Sequence, residues 1–120
     1  MATEKAVTGK LGEDFAQSYF IKKGFSVTRN FRSRYGEIDL IAENDELLVF
    51  VEVKTRKADS MTLPKESVDF YKQKKIIKTA EYYIMKTGSE KQPRFDVFEA
   101  FQQNGRIYKF SHIESAFDAW

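Results

Sequence analysis

The stretch Leu48-Val49-Phe50-Val51-Glu52-Val53-Lys54 sets a carboxylate and an ammonium two residues apart inside an otherwise apolar run. A short run of β-branched and aliphatic residues reads as a strand. Alternation puts Leu48, Phe50, Glu52 and Lys54 on one side and Val49, Val51 and Val53 on the other. Charges in such a run need a partner or a task, because burying an uncompensated ion is costly. Upstream, Gly36-Glu37-Ile38-Asp39-Leu40-Ile41-Ala42 repeats the theme, with Asp39 embedded among aliphatic residues. Its alternation groups Glu37, Asp39 and Ile41 against Ile38, Leu40 and Ala42. Asn44-Asp45 supplies a turn, so strands over 37–43 and 47–55 are expected to form an antiparallel hairpin. If Asp39 shares the side of Glu52, two carboxylates converge beside Lys54.

Two carboxylates about 4 Å apart repel by roughly 4 kcal/mol at an effective dielectric of about 20, so the pair needs a proton, a cation or separation. A hard divalent cation, Mg2+ or Mn2+, suits oxygen ligands and keeps waters and room for a substrate phosphate. With no cysteine and a single histidine, His112, no zinc cluster can be assembled. His112 is read as a surface or packing residue. Phosphodiester hydrolysis needs an activated water, charge stabilisation on the phosphoryl oxygens and protonation of the leaving oxygen. Lys54 could orient or deprotonate the water or neutralise developing charge, and the spacing does not choose among these. The competing reading is a cross-strand salt bridge on an open sheet face.

The chain has 120 residues, 42% hydrophobic, with 11 Phe, which fits one domain over 1–120 with 1–7 flexible. No segment approaches the roughly 20 apolar residues of a membrane span, and no signal-peptide core opens the chain. The missing cysteines also exclude disulfides and thiol chemistry, which fits a cytoplasmic protein. Lys and Arg exceed Asp and Glu by only 20 to 18, so the distribution of charge says more than its sum. Arg29, Arg32 and Arg34 cluster before Gly36, Arg56-Lys57 follows the acidic strand, and Lys72, Lys74, Lys75 and Lys78 lie along one expected helix. These suit phosphate contacts, although a solvated helix face is the commoner explanation for lysine runs.

Helical spacing over 8–23, with Thr8 as cap and Gly24 as stop, precedes an alternating strand over 25–31. Glu13 falls at the edge of that helix's apolar arc, either reaching a site on the sheet or favouring the helix start electrostatically. Pro64 is placed in the first turn of a helix over 65–87 ended by Gly88. Its apolar stripe of Ile76, Ile77, Ala80, Tyr83 and Ile84, projected backwards, lands on Asp69, Lys72 and Gln73. Polar groups would therefore face inward there, as an active-site wall or a loosely packed helix start. A strand over 94–101, the Asn104-Gly105 turn and a strand over 106–110 follow. A short amphipathic tail over 113–120 then packs Phe117 and Trp120 on the body. Asp96 is expected to be a hydrogen-bonded structural acid. The order α-β-β-β-α-β-β-α gives an α/β sandwich around a mixed sheet.

Gly12-Glu13, Arg34 to Ala42, Val49 to Arg56, Val68-Asp69, Lys72 and Pro93 to Val97 together resemble the YraN-like family. That family of small bacterial proteins is assigned to the restriction-endonuclease-like superfamily with a D…(D/E)-x-K signature. Asp39 is not preceded by the proline of the classical superfamily pattern, which many members also lack. The resemblance implies a restriction-endonuclease-like fold with Asp39, Glu52 and Glu13 as Mg2+ ligands and Lys54 as the signature lysine. Similarity to archaeal Holliday-junction resolvases implies an endonuclease of branched DNA, and by analogy a homodimer. Arg29, Arg32, Arg34, Arg56, Lys57, Lys72 and Gln73 are the expected nucleic-acid contacts. The alternative is a non-catalytic module that keeps the fold to bind a nucleic acid or a protein partner.

Overall fold

In a computed structural model, residues 4–57 and 68–119 are described, with side chains from Val7 onward. Helix α1 (Glu4–Lys22) leads into strands β1 (Ser26–Ser33), β2 (Gly36–Glu43) and β3 (Leu47–Lys57). Helix α2 (Phe70–Thr87) and strands β4 (Gln92–Gln103) and β5 (Arg106–Phe117) complete the chain. The five strands form one sheet in the order β1-β2-β3-β4-β5. All neighbouring pairs are antiparallel except β3 with β4, which run parallel. A parallel pair needs a long crossover, and α2 lies in that connection.

The β2–β3 hairpin forms as the sequence indicates, with the Asn44 side chain accepting from the amides of Glu46 and Leu47. Apolar residues line both sheet faces, each covered by a helix. On one, Ala16 and Phe20 of α1 meet Leu40, Ala42, Val49, Val51, Phe98 and Ala100. On the other, Ile76, Ala80 and Tyr83 of α2 meet Ile38, Ile41, Leu48, Phe50, Phe95 and Val97. Covering on both sides explains why β3 reads as a near-continuous apolar run rather than an alternating one.

Three boundaries differ from the sequence reading. Helix α1 is under way at Glu4, so Thr8 is not its cap, and of the expected flexible residues only 1–3 lie outside the described ones. Helix α2 begins at Phe70 rather than at residue 65. Asp69 is its cap, accepting from the Lys72 amide at 2.8 Å. Pro64 and Trp120 lie outside the described residues. The expected terminal helix is strand: 113–117 continues β5, with Phe117 stacked on Phe95 at 5.1 Å. Pairing satisfies the backbone groups along β4, and that outweighs a weak local helical pattern.

Candidate active site

The acids are brought together by a local break in strand alternation. Asn30 sits opposite Asp39 between the pairs Arg29↔Leu40 and Phe31↔Ile38, with a left-handed φ of 53°. Across this point both strands switch faces. Arg29 and Leu40 lie toward α1, whereas Phe31 and Ile38 pack on the α2 side. Ile38 therefore joins Ile41, contrary to simple alternation. Asp39 stands at the switch, where the β2–β3 pairing has ended at Leu40↔Val51. Its carboxylate takes over from the backbone there, accepting the Val53 amide at 2.8 Å.

Glu52 follows the expected alternation and lies on the α2 side with Leu48 and Phe50. Its side chain is only 7% exposed, and Lys72 from the first turn of α2 reaches it at 2.5 Å. Burial pushes the Asp39 carboxyl up to about 7, and the Glu52 and Glu13 charges act the same way against the Val53 amide and Lys72. Burial alone would lower the Lys72 ammonium, but its hydrogen bond and charge pairing with Glu52 leave it raised. The result is an acidic pair, Glu52 buried and Asp39 half-buried, with one ammonium drawn onto Glu52. Lys54 shares the Glu52 face and lies in register with Glu99 on β4.

Glu13 is close enough to act electrostatically on Asp39, but its carboxylate is held by Arg29 at 3.2 Å. Arg29 also binds Asp14 at 2.5 Å and Gln17 at 3.0 Å, so this guanidinium fastens β1 to α1. Among the described residues, no three Asp, Glu, His or Cys side chains are gathered as a ready metal cage. The donor set that fits a divalent cation is the Asp39–Glu52 pair, whose mutual repulsion a hard, largely hydrated ion would relieve.

The remaining predicted residues divide by what holds them. Arg56 is 9% exposed and binds Glu99 at 3.2 Å, an internal pair rather than a surface cation. The Gln73 amide donates to the Val68 carbonyl at 2.8 Å and secures the start of α2. Arg32 is exposed beside Glu37, and Arg34 is exposed over the Tyr35 ring. Lys57 is exposed at the end of β3. Asp96 is the structural acid expected of it, accepting from Arg94, from His112 at 2.6 Å and from the Ser115 amide at 3.1 Å. His112 in turn meets the Tyr19 hydroxyl at 2.9 Å, as a packed core residue.

The model of the uncharacterised protein family UPF0102 matches residues 12–99, which hold every acid and lysine of this site. The chain belongs to the UPF0102 family. A UPF0102 protein of Caldanaerobacter subterraneus is 44% identical over 94% of this chain and 96% of its own length. Another, of Caldicellulosiruptor bescii, is 47% identical over 91% and 95% respectively. A third, of Persephonella marina, is 43% identical over 93% and 94%.

In this UPF0102 chain the sequence reading misses Glu99 and the role of Lys72 as the ion-pair partner of Glu52. Glu99 is detectable, since Phe95, Val97 and Glu99 alternate onto one face. The Lys72 contact is half legible: the helical stripe points it inward, but no local signal names a partner 20 residues away.

Proposed function

We propose that the chain is a Mg2+- or Mn2+-dependent endonuclease of the restriction-endonuclease-like superfamily, hydrolysing DNA phosphodiesters at branched or junction DNA. The observation that supports it best is the pair of half-buried Asp39 and buried Glu52 on adjacent strands, with Lys54 two residues beyond Glu52, the spacing of the D…(D/E)-x-K signature. Asp39 and Glu52 would hold the cation, and Glu13 is the third acid, tied to Arg29 in this conformation. When bound, the ion supplies Lewis-acid stabilisation of phosphoryl oxygens and an acidified water. The Val53 amide fixes the Asp39 carboxylate in place. Lys54, on the Glu52 face, supplies positive charge to the developing phosphorane. Arg32, Arg34 and Lys57, all exposed, would meet flanking phosphates and fix register. We assign the reaction to the cytoplasm and the working form to a homodimer or a complex with a protein partner.

One observation favours a second reading, a nucleic-acid or protein-binding module without catalysis. The Lys72 ammonium already neutralises Glu52, in the manner of a built-in counter-ion. Incubation with linear, single-stranded and four-way-junction DNA in Mg2+ or Mn2+ separates the two. The nuclease reading expects parent cleavage that is lost in Asp39→Ala and in Lys54→Ala. Identical weak cleavage by all three proteins overturns it, and DNA binding without cleavage in either metal leaves the module.

A further inference from the structure

The solvent face of α2 carries a pattern that neither the core nor the carboxylate site uses. Phe70, Tyr71 and Met85 are 69%, 75% and 72% exposed on a helix whose opposite side is well packed. Large apolar side chains exposed in a row need an explanation, whereas single ones do not. Here cations are set on the rings: Lys74 lies 4.7 Å from the Phe70 centroid and Lys75 lies 5.4 Å from that of Tyr71. At the β1–β2 turn the motif recurs, with Arg34 5.0 Å from the Tyr35 ring and bonded to its hydroxyl. Tyr35 and Tyr82 face an open groove of about 360 Å3 that Lys78, Glu81 and Met85 also line. At 1.5 Å per residue, the stripe from Phe70 to Met85 extends about 22 Å, and it starts two residues from Lys72 on the acidic pair.

We propose that this face is a single-strand platform, on which unpaired DNA bases stack on Phe70, Tyr71 and Tyr35 while Lys74, Lys75, Lys78 and Arg34 take the phosphates. The inference rests on the nucleic-acid reading above and names the strand form that reading leaves open. Two features decide the occupant. The cations outnumber the acid Glu81 along the stripe, which makes the surface complementary to a polyanion. The rings are presented to solvent in reach of bases, and only unpaired bases have free faces to stack. A duplex offers such faces only at its ends.

The test is fluorescence anisotropy with a labelled oligo(dT) and a duplex of equal length, in EDTA so that binding is read without cleavage. The parent should prefer the single strand. Phe70→Ala and Tyr71→Ala should each weaken single-strand binding by roughly 5- to 150-fold, the range for loss of a stacked base. Phe70→Tyr and Tyr71→Phe should bind like the parent, and the exposure of both rings makes unchanged melting temperatures the expected control. Joint replacement of Lys74 and Lys75 by Gln should flatten the salt slope by about 1.4, at roughly 0.7 per single-strand phosphate. Equal affinity of the alanine variants and the parent overturns the platform, as does a preference for duplex. Ring-dependent binding to anionic phosphatidylserine vesicles, without ring-dependent DNA binding, would also overturn it and put a membrane surface there. Cleavage of the same DNAs in Mg2+ is scored separately. Ring-dependent binding without cleavage keeps the platform and removes the nuclease, whereas cleavage indifferent to the rings does the reverse.

Discussion

Replacing Asp39 by Asn should make the protein more stable, in a way that depends on pH and on divalent cation. The Asp39 carboxyl has a folded pKa of about 7 against an ordinary 3.8, chiefly through burial and the Glu52 charge. Between those values the folded state binds more protons than the unfolded state, so stability falls as pH rises from about 4 to about 7 and stays reduced above it. At about 1.4 kcal/mol per tenfold in acidity the full effect approaches about 4 kcal/mol, and solvent screening brings it to about 2 to 3 kcal/mol. The amide of the Asp39→Asn variant carries no charge, and its oxygen can still accept from the Val53 amide. By scanning calorimetry in EDTA at pH 8, Asp39→Asn should therefore melt about 5 to 10 °C above the parent. The gap should shrink steadily as pH falls and be nearly gone by pH 4. Adding Mg2+ at pH 8 should raise the parent by an amount equivalent to about 2.7 kcal/mol at 100 times the dissociation constant, and leave the variant where it was. An Asp39→Asn protein that melts at or below the parent in EDTA at pH 8, or a gap indifferent to pH, would refute the electrostatic account.

Lys72→Gln leaves Glu52 buried without its counter-charge, and since Lys72 is half exposed the expected loss is about 1 to 3 kcal/mol. Saturating Mg2+ should recover most of that loss in urea titrations, and failure to recover would separate Lys72 from the cation site. At Gly12 an added Cβ would lie 1.8 Å from Thr55 Oγ1 and 3.0 Å from Thr55 Cβ, because α1 crosses β3 in close contact there. Gly12→Ala should cost about 1 to 3 kcal/mol by overpacking, with Thr55→Ala restoring part of it; no restoration means the contact is not the cause. Asp96→Asn should destabilise by about 3 kcal/mol at neutral pH, by leaving Arg94 and His112 facing an amide. Burial opposes ionisation of Asp96, but the His112, Arg94 and Ser115 hydrogen bonds prevail and hold its pKa below 3.8. Its contribution is present above that value and fades as pH falls through the folded pKa, opposite in sense to Asp39. A deficit in urea midpoint that does not narrow in acid would contradict the assignment.

The elements themselves are legible because each carries a local signal. Asn44 turns the β2–β3 hairpin, Gly88 ends α2 in the left-handed region that favours glycine, and the apolar period of α2 names its buried face. The tail reads wrongly as helix because its few apolar residues suit either period, and only the open edge of β4 selects strand. Asp69 reads as helix interior and instead caps the helix. A residue that can both continue a helix and accept its first amides gives no unique local answer.

By itself the sequence determined that a carboxylate and a lysine share one side of a buried strand, because strand alternation is a property of the backbone. It also marked Asp39 as an acid among aliphatic residues. Tertiary structure decided the rest. The face switch at Asn30 and Asp39 turns a side chain into the strand partner of Val53, which alternation alone assigns to one face or the other. The same folding gave Arg29 and Arg56 to carboxylates of their own chain, and brought Lys72 onto Glu52. Charges interact through space and burial, not along the chain, so the partner of each ion is fixed only when the helices close over the sheet.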